Sequence, residues 1–564
     1  MKVVIIGGVA GGASAAARLR RLDENAEIVI FERSGYISYA NCGLPYYIGG
    51  VIEDREDLTL QTPQSFWARF RIDARVRHEV VEIDRKKKTV TVHSLDTGKI
   101  FKESYDKLVL SPGGHPVIPN IPGAGGEKIY TLRTVEDTLR IREAAVRHKI
   151  KSAVVIGGGF IGVETAENLA ALGLQVSLVQ RDEHILPPFD RDMASFLHRH
   201  LREKGINLLL DTNVTGFETA ESNVKVFLEN ADSLTADMAV LAVGVMPESS
   251  LAKECGLEIG IKGSIVVNDF MQTSDPNIYA VGDAVSITNA VTGQKNVIAL
   301  AGPANKQGRV VADNIAGLGH RYTGSAGSSV LKIFDMTAAS SGVNEQTARA
   351  LGLKYDKVIL SPASHASYYP GGKVMTVKVL YERKSERILG VQIVGFDGVD
   401  KRLDVIATAM QSGMKVSQLA ELDLAYAPPY GSAKDPVNMV GFIAQNVLTG
   451  KVKQFFYEDL KTLPRDGSVV LLDTRTAGEY AKGHAEGFQT HIPLDDLRER
   501  LRELDRTKPV YVMCQSGLRS YLACRILSQN GYDCYNFAGG YRYYESVEHD
   551  RFDSDCSTDC GLPR

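Results

Sequence analysis

Two glycine-rich turns constrain this chain more than any other feature, because each lies between a β-branched run and a small-residue helix. The first reads Gly7-Gly8-Val9-Ala10-Gly11-Gly12 and follows a buried parallel strand expected at residues 3–6. A helix over 13–22 and a strand over 27–31 complete a βαβ unit that ends on Glu32 and Arg33. The second turn, Gly157-Gly158-Gly159-Phe160-Ile161-Gly162, repeats the pattern with a strand at 153–156, a helix to residue 172 and a strand at 175–179. Glycine at such a turn lets the backbone approach a pyrophosphate, and the free N–H groups of the helix start face the anion.

Gly7 and Gly12 are therefore assigned to one dinucleotide. Glu32, with Arg33 beside it, lies 20 residues after Gly12, where an acid accepts hydrogen bonds from a ribose. Gly157, Gly159 and Gly162 are assigned to a second dinucleotide. Its ribose acid is missing: Gln180 ends the strand and Arg181 follows, with Glu183 close by. An arginine there attracts a 2′-phosphate, so the reading leans to NADPH or both nucleotides, with NADH open. Two dinucleotide folds in one chain suggest hydride passing from a nicotinamide to a flavin.

At ~150 residues per domain, 564 residues give three or four domains. The expected fold class is α/β. Two Rossmann-like domains, FAD-binding (1–113 with 243–325) and NAD(P)H-binding (114–242), precede an α+β dimerisation domain (326–450). An α/β domain (460–545) and a loose tail (546–564) follow. A strand-rich stretch over 205–245 is expected to complete the second sheet. A strand is expected over 278–283, a boundary over 450–465, strands over 469–472 and 510–513, and a helix over 521–529. A net charge of −3 argues against a nucleic-acid or membrane-surface partner. The apolar start, ending in Ala15-Ala16-Ala17, mimics an export signal, but the glycine turn and Arg18, Arg20 and Arg21 favour strand, turn and helix. No later run reaches the ~18 apolar residues of a membrane span. The expected location is cytoplasmic, where a placed cysteine is more often reactive than structural. Seven cysteines are too few for a disulfide scaffold, and no metal site is expected.

Cys42 lies in Ser38-Tyr39-Ala40-Asn41-Cys42-Gly43-Leu44-Pro45-Tyr46, just ahead of an expected helix start that would stabilise its thiolate. Pro45 and Tyr47 occupy the positions where an internal disulfide would need a second cysteine. A lone redox thiol must instead pass through a mixed disulfide, a persulfide or a sulfenic acid. Arg18 and Arg21 lie one helical turn apart and could share a phosphate, or form a solvated basic face.

The segment 273–283, ending Tyr279-Ala280-Val281-Gly282-Asp283, resembles the second FAD signature of the two-dinucleotide flavoprotein disulfide reductases. Ser111-Pro112-Gly113 resembles their crossover turn. On that likeness Ser111, Gly113 and Asp283 are FAD contacts. The Cys42 segment resembles the coenzyme A disulfide reductases, with Tyr39 in place of their phenylalanine. The likeness covers about residues 1–450, including His365-Ala366-Ser367-Tyr368-Tyr369-Pro370 and Tyr426-Ala427-Pro428-Pro429-Tyr430. It implies a homodimer in which two tyrosines of the partner subunit face the cysteine. Tyr368 and Tyr426 match them best, with Tyr369 the rival for the first. A phenol there can protonate a departing coenzyme A thiolate. The same likeness implies coenzyme A contacts at Ser14, Arg18, Arg21, Ser38, Asn41, Arg71, Asn305 and Lys434. NADH oxidases and peroxidases, which use a sulfenic-acid cysteine, are also similar, but they carry a histidine in the first glycine turn where this chain has Ala10.

Near the C-terminus, Cys514-Gln515-Ser516-Gly517-Leu518-Arg519-Ser520 follows a strand and precedes a helix. Successive N–H groups of such a loop form an anion nest around the sulfur, and Arg519 adds positive charge. With Leu472-Asp473-Thr474-Arg475, Gly483-His484-Ala485 and Ile492-Pro493, the stretch 460–545 resembles rhodanese domains. A cysteine phosphatase loop is one residue longer between cysteine and arginine. The implied activity is NAD(P)H-dependent, FAD-mediated reduction of coenzyme A disulfide, coenzyme A persulfide or polysulfide at Cys42, with Cys514 relaying sulfane sulfur. An oxidase or peroxidase, and a thiol redox sensor, are the alternatives. Cys255, Cys524 and Cys534 are expected to be structural, and Cys556 and Cys560 receive no role.

Overall fold

The computed structural model describes residues 1–147, 150–229 and 232–553. The described residues form two compact units, one within 1–182 and 205–327, the other within 183–204 and 328–553.

The first unit holds two parallel sheets. In one, strands run in the order Ile278–Ala280, Lys107–Leu110, Lys2–Ile6, Glu27–Glu32 and Asp73–Val76. In the other the order is Asn207–Leu209, Gln175–Val179, Ser152–Ile156, Met238–Leu241 and Ile129–Thr131. The central strands are β-branched because helices or loops cover both faces: Val3, Val4 and Ile5 are 0 % exposed. Each such side chain contributes about 1.5–3 kcal/mol on burial. Helix Ala10–Leu22 crosses helix Ala301–Ile315 so closely that a Cβ on Gly308 would lie 2.4 Å from the Gly11 carbonyl oxygen.

Several expectations need correcting here. Only Asn207–Leu209 and Met238–Leu241 of the 205–245 stretch join the second sheet. Val214–Thr219, Val224–Leu228 and Ser233–Ala236 form a separate antiparallel sheet. The strand expected over 278–283 stops at Ala280. Gly282 takes φ +80° and its N–H is held by Gln307 Oε1 at 2.7 Å, so Gly282–Ala284 is a 3-10 turn.

The second unit begins with an antiparallel sheet, Ser329–Ile333, Met336–Gly342, Ile388–Gly395, Thr376–Tyr381 and Asp356–Leu360 in that order. A parallel sheet follows, ordered Lys453–Phe455, Cys534–Phe537, Val510–Met513, Val470–Asp473 and Thr490–His491. Its first strand and helix Tyr457–Leu460 occupy what the sequence marked as a boundary at 450–465.

Residues 183–204, placed by sequence in the NAD(P)H domain, belong to this second unit. Fully buried Lys378 pairs with Asp190 at 2.9 Å and Asp192 at 2.7 Å and so fixes the start of helix Arg191–Glu203. The tail boundary at 546 also falls inside a helix, Gly540–Asp553. That helix is tied to Arg191–Glu203 by Ser195 Oγ to Ser546 Oγ at 2.9 Å and His198 Nδ1 to Asp550 at 2.9 Å. Cys556 and Cys560 lie outside the described residues.

Candidate active sites

The two glycine turns are built alike. Gly7 takes φ +95°, and a Cβ on Gly12 would lie 2.0 Å from the Gly7 carbonyl oxygen. Gly157 takes φ +107°, and a Cβ on Gly162 would lie 1.8 Å from the Gly157 oxygen. Any side chain there breaks the turn. Gly159 meets no such obstacle; its space is open.

At the first turn, Glu32 is 8 % exposed and accepts from the N–H groups of Gly8 and Ser34, both at 2.9 Å. A cavity of about 360 Å³ opens beside it, lined by Gly7, Glu32, Arg33, Pro112 and Glu248 among others. Arg33 faces Glu248 at 3.9 Å and is otherwise exposed. Ser111 crowds Gly7, its carbonyl oxygen falling 2.0 Å from where a Cβ on that glycine would sit, and Gly113 takes φ +74°. Asp283 lies beyond, its Oδ2 held by Arg133 Nη2 at 2.7 Å. A glycine cradle, a ribose acid and a cavity lined by both apolar and charged side chains fit the adenosine and pyrophosphate of FAD.

At the second turn Gln180 stands where Glu32 stands in the first. Its Oε1 accepts from Gly158 N–H at 2.7 Å and its Nε2 donates to Asp182 Oδ2 at 3.0 Å. Arg181, expected from sequence to attract a 2′-phosphate with Glu183 close by, is paired with Asp182 at 3.4 Å. Both side chains of that pair are largely exposed, so solvent screens it.

Cys42 is exposed, in the 3-10 turn Asn41–Gly43 that leads into helix Leu44–Ile48. The expected thiolate stabilisation does not prevail. Protein packed around the thiol strips solvent from a charged sulfur, and the carboxylates of Glu164 and Asp283 repel it, while Arg133 opposes them; the pKa is raised. A helix of five residues offers too little dipole to win. Glu164, two residues after Gly162, is the chief group that sequence reasoning missed. Burial and nearby Glu167 push its carboxyl up to about 7 against the Tyr46 hydrogen bond, which donates to Glu164 Oε1 at 3.2 Å. The Cys42 helix lies hard against the nucleotide helix Phe160–Ala171: a Cβ on Gly49 would lie 2.2 Å from Asn168 Oδ1.

Of the coenzyme A candidates, Ser14 and Asn305 are hydrogen-bonded to one another across the two crossing helices. Arg18 and Arg21 each have their Nε engaged elsewhere. Arg18 Nε is committed to buried Asp313 at 2.7 Å, and Arg21 Nε to the Ala17 carbonyl at 3.0 Å. Ser38 sits at φ +46°, its N–H bonded to the Gly8 carbonyl at 2.7 Å, which places it and Asn41 beside the first turn. Arg71 lies over the Trp67 ring, its guanidinium 5.6 Å from the centroid. Lys434 is exposed in the second unit. Also in the second unit, the hydroxyls of Tyr368 and Tyr426 share a hydrogen bond at 2.5 Å. Tyr369 instead packs edge-on to His365 at 5.5 Å.

Cys514 is buried at the end of strand Val510–Met513. Gly517 N–H and Ser520 Oγ both donate to its Sγ at 3.1 Å. Gly517 takes φ +96°, so the loop turns early and the helix starts at Leu518, not at the expected 521. Arg519 is close enough to Cys514 to interact with it electrostatically, but it is not a free cation. Its two terminal nitrogens donate to the two oxygens of Glu479, each at 2.7 Å. That ion pair holds the Glu479 carboxyl down to about 2. Buried Arg475 is held by Asp473 and stacks on Tyr541 at 3.8 Å. Cys524 and Cys534 are buried, as expected of structural thiols, and Cys255 is half-buried.

Comparison with known proteins bears on both sites. Residues 1–308 match the pyridine nucleotide-disulphide oxidoreductase family, 328–436 its dimerisation domain and 456–546 the rhodanese-like domain. A curated coenzyme A disulfide reductase of Staphylococcus haemolyticus is 36 % identical over 447 residues, 79 % of this chain and 100 % of the relative. The crystal structure of reduced Bacillus anthracis CoADR-RHD is 45 % identical, covers 98 % of both chains and superposes with a TM-score of 0.95. A NAD-dependent persulfide reductase from A. fulgidus is 39 % identical, covers 96 % of this chain and 100 % of its own, and gives a TM-score of 0.91.

Proposed function

The chain belongs to the pyridine nucleotide-disulphide oxidoreductase family, and we propose that it reduces coenzyme A persulfide, polysulfide or coenzyme A disulfide through Cys42 at the expense of NAD(P)H. Cys514 supplies sulfane sulfur to that reaction. The single observation that carries this reading is the pairing of two differently built thiols in one chain. Cys42 is exposed beside the two dinucleotide turns, whereas Cys514 is buried with two donors on its sulfur.

Bound FAD supplies the two-electron exchange with NAD(P)H. The residues present suit it, with Gly7, Gly12 and Glu32 at the adenosine end and Ser111, Gly113, Arg133 and Asp283 further along. NAD(P)H would lie on Gly157, Gly159 and Gly162, near Gln180 and Arg181. Cys42 as thiolate attacks the sulfur bonded to coenzyme A, or the end of a polysulfide. The S–S bond of the substrate breaks, a new one forms on Cys42, and the leaving group is coenzyme A thiolate from the disulfide, hydrosulfide from the persulfide or a shorter polysulfide from a polysulfide. Glu164, neutral below about pH 7, holds a proton beside Cys42 for that exchange. Ser14, Ser38, Asn41 and Asn305 are assigned to coenzyme A, with Arg21, Arg71 and Lys434 as candidate phosphate partners. In a homodimer Tyr368 and Tyr426 of one protomer would meet the thiolate leaving at the other protomer's Cys42. The rhodanese domain is covalently tethered, so Cys514 delivers sulfur at high effective concentration.

The test is NAD(P)H oxidation with coenzyme A persulfide, polysulfide, coenzyme A disulfide and peroxide as oxidants. The reading expects sulfur substrates to lead, with Cys42→Ser inactive on all of them. Peroxide as the best oxidant would overturn it in favour of sulfenic-acid chemistry.

A further inference from the structure

The mouth of the Cys514 site has an electrostatic feature that the sulfur-carrier role does not itself require. Arg519 is the only cation within the loop from Cys514 to Ser520, and its guanidinium fork is filled. Both of its terminal nitrogens are bonded to Glu479, whose side chain is 33 % exposed. Glu479 cannot swing away freely. Its Oε2 also accepts from Thr476 N–H at 2.9 Å and Thr476 Oγ at 3.0 Å, as the acid of a capping box on helix Ala477–Ala481. The second arginine near the loop, Arg475, reaches Gln515 Oε1 at 3.5 Å but is itself bonded to Asp473 at 2.8 Å. Arg519 in the loop and Arg475 bonded to it are thus each matched by a carboxylate.

This pairing bears on which sulfur donors the site accepts. A donor such as thiosulfate carries two negative charges and leaves as sulfite, so it needs an unpaired cation to hold its sulfonate oxygens. A thiol persulfide or polysulfide carries less charge and leaves as a thiolate or a shorter polysulfide.

We propose that Glu479 is a positioning residue that sets donor selectivity at Cys514. By occupying Arg519 it closes the site to sulfonate-type donors and leaves persulfides and polysulfides as the sulfur source. The inference rests on the carrier role proposed above for Cys514. The permitted step balances without any further reagent. The Cys514 thiolate attacks the terminal sulfur of R–S–SH, the S–S bond of the donor breaks, R–S⁻ leaves, and Cys514 carries –S–SH. The disfavoured step would turn thiosulfate into sulfite and leave Cys514 carrying –S–S⁻.

The experiment uses the full-length FAD-loaded enzyme and its Glu479→Gln and Glu479→Gln/Arg519→Gln variants. Sulfur transfer to cyanide is measured with thiosulfate and with inorganic polysulfide, and the mass of the Cys514 peptide is read after each donor. Glutamine can still cap the helix, and the ratio of the two donors is insensitive to partial loss of folded protein. Glu479→Gln is expected to raise the thiosulfate-to-polysulfide ratio of kcat/KM about tenfold or more, the scale of one charge-assisted bond regained by Arg519. The double variant is expected to lose that gain. An unchanged ratio in Glu479→Gln, or a wild-type enzyme that uses thiosulfate as well as polysulfide, overturns the clamp while leaving the carrier role standing. Absence of any added sulfur on wild-type Cys514 after polysulfide overturns the carrier role, and the inference with it.

Discussion

The Tyr46 hydroxyl donates to Glu164 Oε1 at 3.2 Å and so joins the helix that follows Cys42 to the helix of the second glycine turn. The carboxylate at that junction stands close enough to Cys42 to raise its thiol pKa. Glu164→Gln is therefore expected to lower the pH at which Cys42 becomes thiolate. The check is the pH profile of iodoacetamide alkylation at Cys42, read by peptide mass in the Cys514→Ser background. A profile that does not move would show that Glu164 has no electrostatic hold on the thiol.

The same carboxyl has a consequence for stability. Its pKa is about 7 in the folded protein against an ordinary 4.5, so between those values the folded state binds more proton than the unfolded one. Its favourable contribution is complete below about pH 4.5 and is lost as pH rises through about 7. Melting curves of wild type and Glu164→Gln across that window should converge at its acid end. At its alkaline end the variant should gain relative to wild type.

The Tyr368–Tyr426 hydrogen bond predicts non-additivity. Either single Phe substitution removes the shared bond, so the double variant should lose little more than the worse single one. A coupling of about 0.5–1.5 kcal/mol in kcat/KM for coenzyme A persulfide is expected. Strict additivity would mean that the two phenols act separately.

Glycine replacement should separate the nucleotides. Gly162→Ala drives a Cβ to 1.8 Å from the Gly157 oxygen, and Gly12→Ala drives one to 2.0 Å from the Gly7 oxygen. The first should retain FAD but fail to be reduced by NAD(P)H, whereas the second should be purified with depleted FAD. Absorbance of bound flavin and its bleaching by NAD(P)H report both.

The Gln180–Asp182–Arg181 arrangement predicts a preference for NADH, since Asp182 sets a carboxylate beside Gln180 and Arg181 at the end of the second strand. Asp182→Ser should free Arg181 and shift the kcat/KM ratio toward NADPH. A ratio that stays fixed would place the discrimination elsewhere.

The parts legible in the sequence are local in the chain. The glycine turns, the Cys42 segment and the Cys514 loop each lie within about a dozen residues, and the backbone conformations they demand are readable from residue type. What escaped depends on contacts between distant segments. Glu164 meets Tyr46 across 118 positions, and Arg18 finds Asp313 across 295. Glu479 was readable as a capping-box acid after Thr476, but its hold on Arg519, 40 residues on, was not. Residues 183–204 follow the second unit because buried Lys378 needs Asp190 and Asp192, a demand that lies far from either acid in sequence.

The most direct test of the two-thiol account loads the full-length enzyme with polysulfide, then adds NADH, and follows the masses of the Cys42 and Cys514 peptides together with released sulfide. In wild type, both cysteines should gain sulfur, and NADH should remove it with sulfide release. Cys42→Ser should keep sulfur on Cys514 and release none, while Cys514→Ser should slow release without abolishing it. Sulfide release from Cys42→Ser at the wild-type rate would contradict the account.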